Sequence, residues 1–188
     1  MSNKSKVKGN NYEREICEKF TKWYERVYSG EVFNRVPSSG ALRWNGKTFR
    51  YSDILPPENF RCLIECKHHK KITIYDFFTK LPKKANQDVV SWWNCQVLVD
   101  IQRCFDDTGQ LLIPLLVFKK DRNPSLIVME RRLFKALNMR NVTLLVLSSR
   151  YLERDLVMFP LSQFLKMSPK DFNNVCKQFT KIPTRTKD

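Results

Sequence analysis

The 188-residue sequence contains no apolar run of about 18 residues, the length a helix needs to cross a bilayer, and its opening Met1-Ser2-Asn3-Lys4-Ser5-Lys6 has no apolar core of a secretion signal. An intracellular protein without a membrane partner is expected. The six cysteines, at 17, 62, 66, 95, 104 and 176, form no CxxC pair and sit mostly in apolar segments. That usage argues against a disulfide framework and for reduced core thiols. Internal repeats and low-complexity segments are missing too. Acids are scarce: 19 Asp and Glu face 34 Lys and Arg, for a net charge of +15. Residues 1–71 carry 15 basic against 8 acidic side chains and the remainder 19 against 11, so the basic field belongs to the whole fold and favours a polyanionic partner.

What is present suffices for one core. The chain is 42% hydrophobic, with thirteen Phe and four Trp. One domain is expected over 10–180, between a flexible basic arm 1–9, whose Lys6 and Lys8 can lie along a phosphate backbone, and a basic tail 181–188. Tyr12, Ile16, Phe20, Trp23, Tyr24 and Val27 recur at spacings of three and four, which predicts an amphipathic helix over 10–28. Asn10 is its candidate N-cap, with Glu13 three residues on, close to a capping box and at the edge of the buried stripe.

A short extended segment, 31–36, leads into the turn Pro37-Ser38-Ser39-Gly40 and a loop rich in aromatic and basic residues, among them Arg43, Lys47 and Arg50. Asp53-Ile54-Leu55 reads as a strand, and Pro56-Pro57-Glu58-Asn59 as the turn of a hairpin returning over 60–67. After the basic group His68-His69-Lys70-Lys71, residues 72–78 are ambiguous between strand end and helix start. A helix is predicted over 88–104. The adjacent Trp92 and Trp93 cannot both face inward on one helix, so one is either exposed, for base stacking or dimer packing, or only partly buried. Residues 111–118 and 125–129 read as a second hairpin, 130–137 as a helix, and 142–147 and 156–159 as strands. Ser168 and Pro169 open a last helix toward Phe179. The fold class is α/β, a mixed central sheet flanked by helices.

The chemistry concentrates in Cys62-Leu63-Ile64-Glu65-Cys66-Lys67. Side chains alternate along a strand, so Leu63, Glu65 and Lys67 share one face and Cys62, Ile64 and Cys66 the other. Glu65-Cys66-Lys67 is the only Asp/Glu-x-Lys in the chain. Charges beside an apolar strand cost several kcal/mol unless they are paired or bind a metal. An ion pair is one reading. The other uses Asp53, across the expected hairpin: two carboxylates on neighbouring strands can converge on Mg²⁺ or Mn²⁺. Lys67 then stands where it can stabilise a hydroxide nucleophile or the charge growing on a phosphate. Cys62, Cys66, His68 and His69 do not make a convincing zinc set, because the thiols face away from Glu65 and no second cluster exists. His68 and His69 are expected to contact phosphate or solvent.

Four short motifs in order carry a resemblance. Lys8-Gly9-Asn10-Asn11-Tyr12-Glu13-Arg14, Arg35-Val36-Pro37-Ser38-Ser39-Gly40, Ser52-Asp53-Ile54 and Leu63-Ile64-Glu65-Cys66-Lys67 resemble the motifs of the PD-(D/E)xK nuclease superfamily, and within it the archaeal-type Holliday junction resolvases and their phage relatives. The resemblance covers roughly residues 6–70. It implies a restriction-endonuclease-like fold with a motif-bearing core of about 10–118, and a homodimeric, Mg²⁺-dependent endonuclease acting on branched DNA. Asp53, Glu65 and Lys67 would be its catalytic core, Glu13 an additional acid at the metal and water, and Ser39 a loop residue near the scissile phosphate. Lys6, Lys8, Arg14, Arg35, Arg43, Lys47, Arg50, His68, Lys70 and Lys71 are the candidate DNA contacts. Ser52 stands where the family usually has Pro, and the chain beyond about residue 110 exceeds a minimal resolvase. A restriction-like or repair nuclease, an exonuclease, and a non-catalytic nucleic-acid-binding module on the same scaffold are the alternatives.

Overall fold

A computed structural model describes residues 3–36, 51–70 and 88–180 of the protein. Expectations for the turn 37–40, the loop 41–50, residues 71–87 and the tail 181–188 lie outside the described residues, and with them the assignments of Ser39, Arg43, Lys47, Arg50 and Lys71.

The fold opens with helix α1, Asn3–Tyr24. Tyr12, Ile16, Phe20, Trp23 and Tyr24 of the predicted stripe are all in the core, but the helix ends at Tyr24, short of the expected 28, and Val27 beyond it is 43% exposed. The start differs too. Residues 3–9, expected as a mobile arm, are the first turns of this helix, and Asn10 lies inside it instead of capping it. No proline interrupts the stretch, and Lys8 forms an ion pair with Asp121, far along the chain, so a tertiary contact holds turns that have no hydrophobic period of their own.

Strand β1 (Asn34–Arg35) pairs antiparallel with β2 (Ile54–Leu55), a sheet of two strands among the described residues. The expected hairpin between 53–55 and 60–67 is therefore corrected. β3 (Cys62–His69) instead pairs in parallel with β4 (Ile113–Lys120), with Glu65 opposite Leu116. A parallel pair needs a long crossover. The described part of it is one helical run: α2 (Val89–Trp92), a π-helical segment (Trp93–Val97) and α3 (Leu98–Thr108). The hairpin of β4 with β5 (Leu126–Glu130) is as predicted. Helix α4 (Arg131–Ala136), strands β6 (Leu145–Leu147) and β7 (Leu156–Pro160), and helices α5 (Leu161–Phe164) and α6 (Pro169–Phe179) complete the described chain. The Ser168 side chain caps α6 by accepting from the Asp171 N–H, with Pro169 at the start.

Among the described residues the main sheet has five strands in the order β3-β4-β5-β7-β6, mixed in direction. Strand alternation sorts its side chains onto two helical layers. Cys62, Ile64, Leu115, Val117, Ile127, Met129, Val157 and Phe159 face a core shared with α1, α4, α5 and α6. Leu116, Phe118, Val128, Leu156 and Met158 face the crossover helix. This is the α/β architecture expected of a restriction-endonuclease-like fold. Trp92 and Trp93 are both buried, each about 3% exposed, which corrects the expectation of one exposed or only partly buried indole. The helix changes from α to π winding at Trp93, and α2 is buried on every side, so consecutive indoles both find apolar surroundings.

Candidate active site

Three elements bring the predicted acids together: α1 supplies Glu13, the residue just before β2 is Asp53, and the middle of β3 carries Glu65 and Lys67. Glu13, Asp53 and Glu65 are all buried, at 8%, 7% and 6% exposure. The face assignment on β3 is as expected, because Cys62, Ile64 and Cys66 enter the α1 core while Leu63 packs against Cys104 of α3.

Asp53 reaches the strand without pairing to it as a ladder. Its Oδ2 accepts the backbone N–H of Cys66 at 2.8 Å. Glu65 accepts from the Lys67 ammonium at 2.5 Å through Oε1. The ion pair weighed from the sequence is thus present, but it has a third charged member. Burial, then the Glu65 charge, pushes the Asp53 carboxyl up to about 7, against the opposing pull of Lys67. Glu65 is raised as well, first by burial, with Lys67 opposing. Burial disfavours the Lys67 ammonium, yet Glu65 and Asp53 outweigh it and hold the lysine above its ordinary value. One lysine is thus surrounded by two buried acids that resist being charged together.

Glu13 is held from the other side. The Arg35 Nε donates to its carboxylate, and an Arg35 terminal nitrogen donates to Asn10 Oδ1 at 2.7 Å. Burial and then the Asp53 charge raise the Glu13 carboxyl, while Arg35 opposes both. Arg35, a candidate DNA contact, is therefore engaged within the protein by two side chains of α1.

The remaining candidates spread outward. Lys6, Arg14 and Lys70 are exposed. His68 donates from Nε2 to Asp121 at 2.9 Å and packs on the Tyr12 ring, and burial together with Lys8 and Lys119 lowers its pKa. An open groove of about 680 Å³ beside α1 and the end of β3 has Lys8, Tyr12, Glu15, His68 and Lys119 in its walls. Lys119, which no sequence pattern singled out, pairs with Glu15 at 2.5 Å and lies over the Tyr12 ring. Asp100 on α3 was missed as well. Its charge adds to the cost of ionising Glu65, and its own carboxyl is raised by burial and by Asp53. Only a helix-to-strand register could have revealed it.

Among the described residues, no three His, Cys, Asp or Glu side chains lie close enough to form a metal cage. The donor chemistry nonetheless suits a hard divalent cation. Mg²⁺ uses one or two carboxylates and fills its other positions with water and phosphate oxygens, and a dication would relieve the repulsion that Asp53 and Glu65 place on each other.

The family model described as "Phage putative PDDEXK endonuclease" matches residues 4–174. No curated protein and no solved structure matches the chain. Nucleases of the PD-(D/E)xK superfamily generally use divalent metal ions and act on nucleic acid. The family match takes in both the buried acids and the strands beyond them, and the chain belongs to this phage endonuclease family, a nuclease of the PD-(D/E)xK superfamily.

Proposed function

We infer that the protein is a Mg²⁺-dependent endonuclease that hydrolyses DNA phosphodiester bonds at branched structures, working as a homodimer. The observation that carries the catalytic part is the burial of Asp53 and Glu65 beside each other, with the Lys67 ammonium paired to Glu65. Two buried acids that raise each other's cost of ionising, with one lysine to offset them, fit a site that is completed by a cation and a phosphate.

Asp53 and Glu65 would hold the cation, with Mn²⁺ able to replace Mg²⁺. When bound, that ion supplies Lewis-acid stabilisation of the charge that develops on the phosphate and favours ionisation of the attacking water. Lys67 places an ammonium next to the same phosphate and offsets its growing negative charge. Glu13, oriented by Arg35, is set to orient the attacking water, and Ser39 is assigned to the scissile phosphate on the resolvase resemblance. Lys6, Lys8, Arg14 and Lys70 would meet the DNA backbone as cations, with His68 beside Lys8 as an uncharged contact; Arg43, Lys47, Arg50 and Lys71 are assigned the same role from the sequence alone, and the net charge of +15 supports it.

The preference for branched DNA and the homodimer rest on the four motifs shared with the resolvases. Incubating the protein and Mg²⁺ with a four-way junction, a flap, linear duplex and single-stranded DNA of matched sequence tests the substrate. Preferential, paired cuts near the branch point are expected, and equal cutting of linear duplex would contradict the preference.

A further inference from the structure

The helix over the site runs antiparallel to β3. Trp92 stacks on His69 with ring centroids 4.7 Å apart, while Cys104 shares a buried cluster with Leu63. Between these two fixed points the helical run advances twelve residues, roughly 18 Å, and the strand six residues, roughly 20 Å. The two elements keep step. Asp100 is one turn before Cys104 on the same helix face. Glu65 is the next residue after Leu63 on the same strand face. The register therefore sets the Asp100 carboxylate level with Glu65, on the side from which Glu65 and Lys67 project. The Asp100 side chain is 22% exposed and takes a hydrogen bond of 3.2 Å from Arg103, itself 66% exposed.

We propose that Asp100 is a positioning residue for Lys67, receiving its ammonium when Glu65 is taken up by the divalent cation. The proposal rests on the assignment of Asp53 and Glu65 as ligands. In the structure the Lys67 ammonium is committed to Glu65 at 2.5 Å. An ammonium and a dication on one carboxylate repel each other, so a cation at Glu65 displaces the lysine. Without another anion on this face Lys67 would swing to solvent on its four-carbon stem and leave the phosphate unattended. Asp100 is the carboxylate that keeps it there, and by accepting the lysine it makes Glu65 easier to release. Lys67 lies within electrostatic reach of both acids: it eases the ionisation of Glu65 and, after Arg103, that of Asp100.

Mn²⁺ binding measured by calorimetry on the full chain without DNA tests this apart from activity. Asp100→Asn is expected to weaken Mn²⁺ about fivefold, Asp100→Glu to restore most of the loss, and Arg103→Ala to leave binding unchanged. In a Lys67→Met background, Asp100→Asn should change binding less than about twofold, because the effect acts through the lysine. Thermal unfolding confirms that each variant folds, and Asp100→Ser replaces Asp100→Asn if the latter does not. Wild-type binding by Asp100→Asn, the same loss from Arg103→Ala, or an undiminished loss in the Lys67→Met background would each overturn the proposal. Asp53→Asn separates the two levels: if it binds Mn²⁺ like wild type, the ligand assignment itself falls, whereas if it loses Mn²⁺ and Asp100→Asn does not, only the role of Asp100 falls.

Discussion

The backbone N–H of Cys66 donates to the Asp53 carboxylate at 2.8 Å, so the strand that presents Glu65 and Lys67 also fixes the acid that faces them. An asparagine at 53 keeps an oxygen for that bond and loses only the charge. Asp53→Asn should fold at least as stably as wild type and lose cleavage by 100-fold or more, on the order of removing one preorganised electrostatic group. Thermal unfolding and a cleavage time course check both halves. Asp53→Ala, which also orphans the Cys66 N–H, should be the less stable of the two, by about 1–3 kcal/mol.

The raised Asp53 carboxyl gives stability a pH dependence. A folded-state value of about 7 lies above the ordinary carboxylate range, so the folded chain binds this proton more tightly than the unfolded one. The contribution is complete below about pH 4 and fades as pH rises through 7. Metal-free wild type should therefore show a melting temperature that falls between pH 5 and 8 by more than that of Asp53→Asn. A parallel fall in both proteins would contradict the shift.

Lys67 is the counter-charge of a buried acid, so its removal costs more than a surface pair would. Lys67→Met leaves Glu65 unpaired at 6% exposure, and a loss of about 1–3 kcal/mol is expected at pH 8, with a smaller one at pH 5 because burial raises the Glu65 carboxyl and favours its neutral form. Denaturant unfolding at the two pH values measures it.

Arg35 offsets the charge of Glu13 next to Asp53. Arg35→Ala should raise the Glu13 carboxyl further and move the acidic limb of the cleavage-rate profile to higher pH, while a purely DNA-contacting arginine would weaken DNA binding and leave that limb in place. A pH–rate profile under saturating DNA distinguishes them.

Much of this arrangement was legible in the sequence because its signals are local. The alternation in Cys62–Lys67 set which residues face the α1 core, and the spacing of Tyr12, Ile16, Phe20 and Trp23 set which face of α1 is buried. Glu13, Asp53, Glu65 and Lys67 followed from motif order, and the structure brings them within one another's electrostatic reach. What was not legible depends on contacts distant in sequence. Residues 3–9 are helical with an anchor at Asp121, which no periodicity announces. The turn at Pro56-Pro57 looks like a hairpin, yet β3 takes its partner from fifty residues away. Trp92 and Trp93 share one core because α2 is buried on every side and the winding changes to π at Trp93, which a one-sided helical pattern does not announce. Asp100 joins the acids through the register of α3 on β3, which a sequence does not print.

Cleavage of a labelled four-way junction by wild type and by Glu65→Gln, compared at protein concentrations that bind the DNA equally, tests the central claim most directly. The account predicts cutting by wild type with Mg²⁺ or Mn²⁺, none with EDTA, and binding without cutting by Glu65→Gln. Cleavage by Glu65→Gln at the wild-type rate, or a wild-type protein that binds DNA and cuts none with either ion, would contradict it.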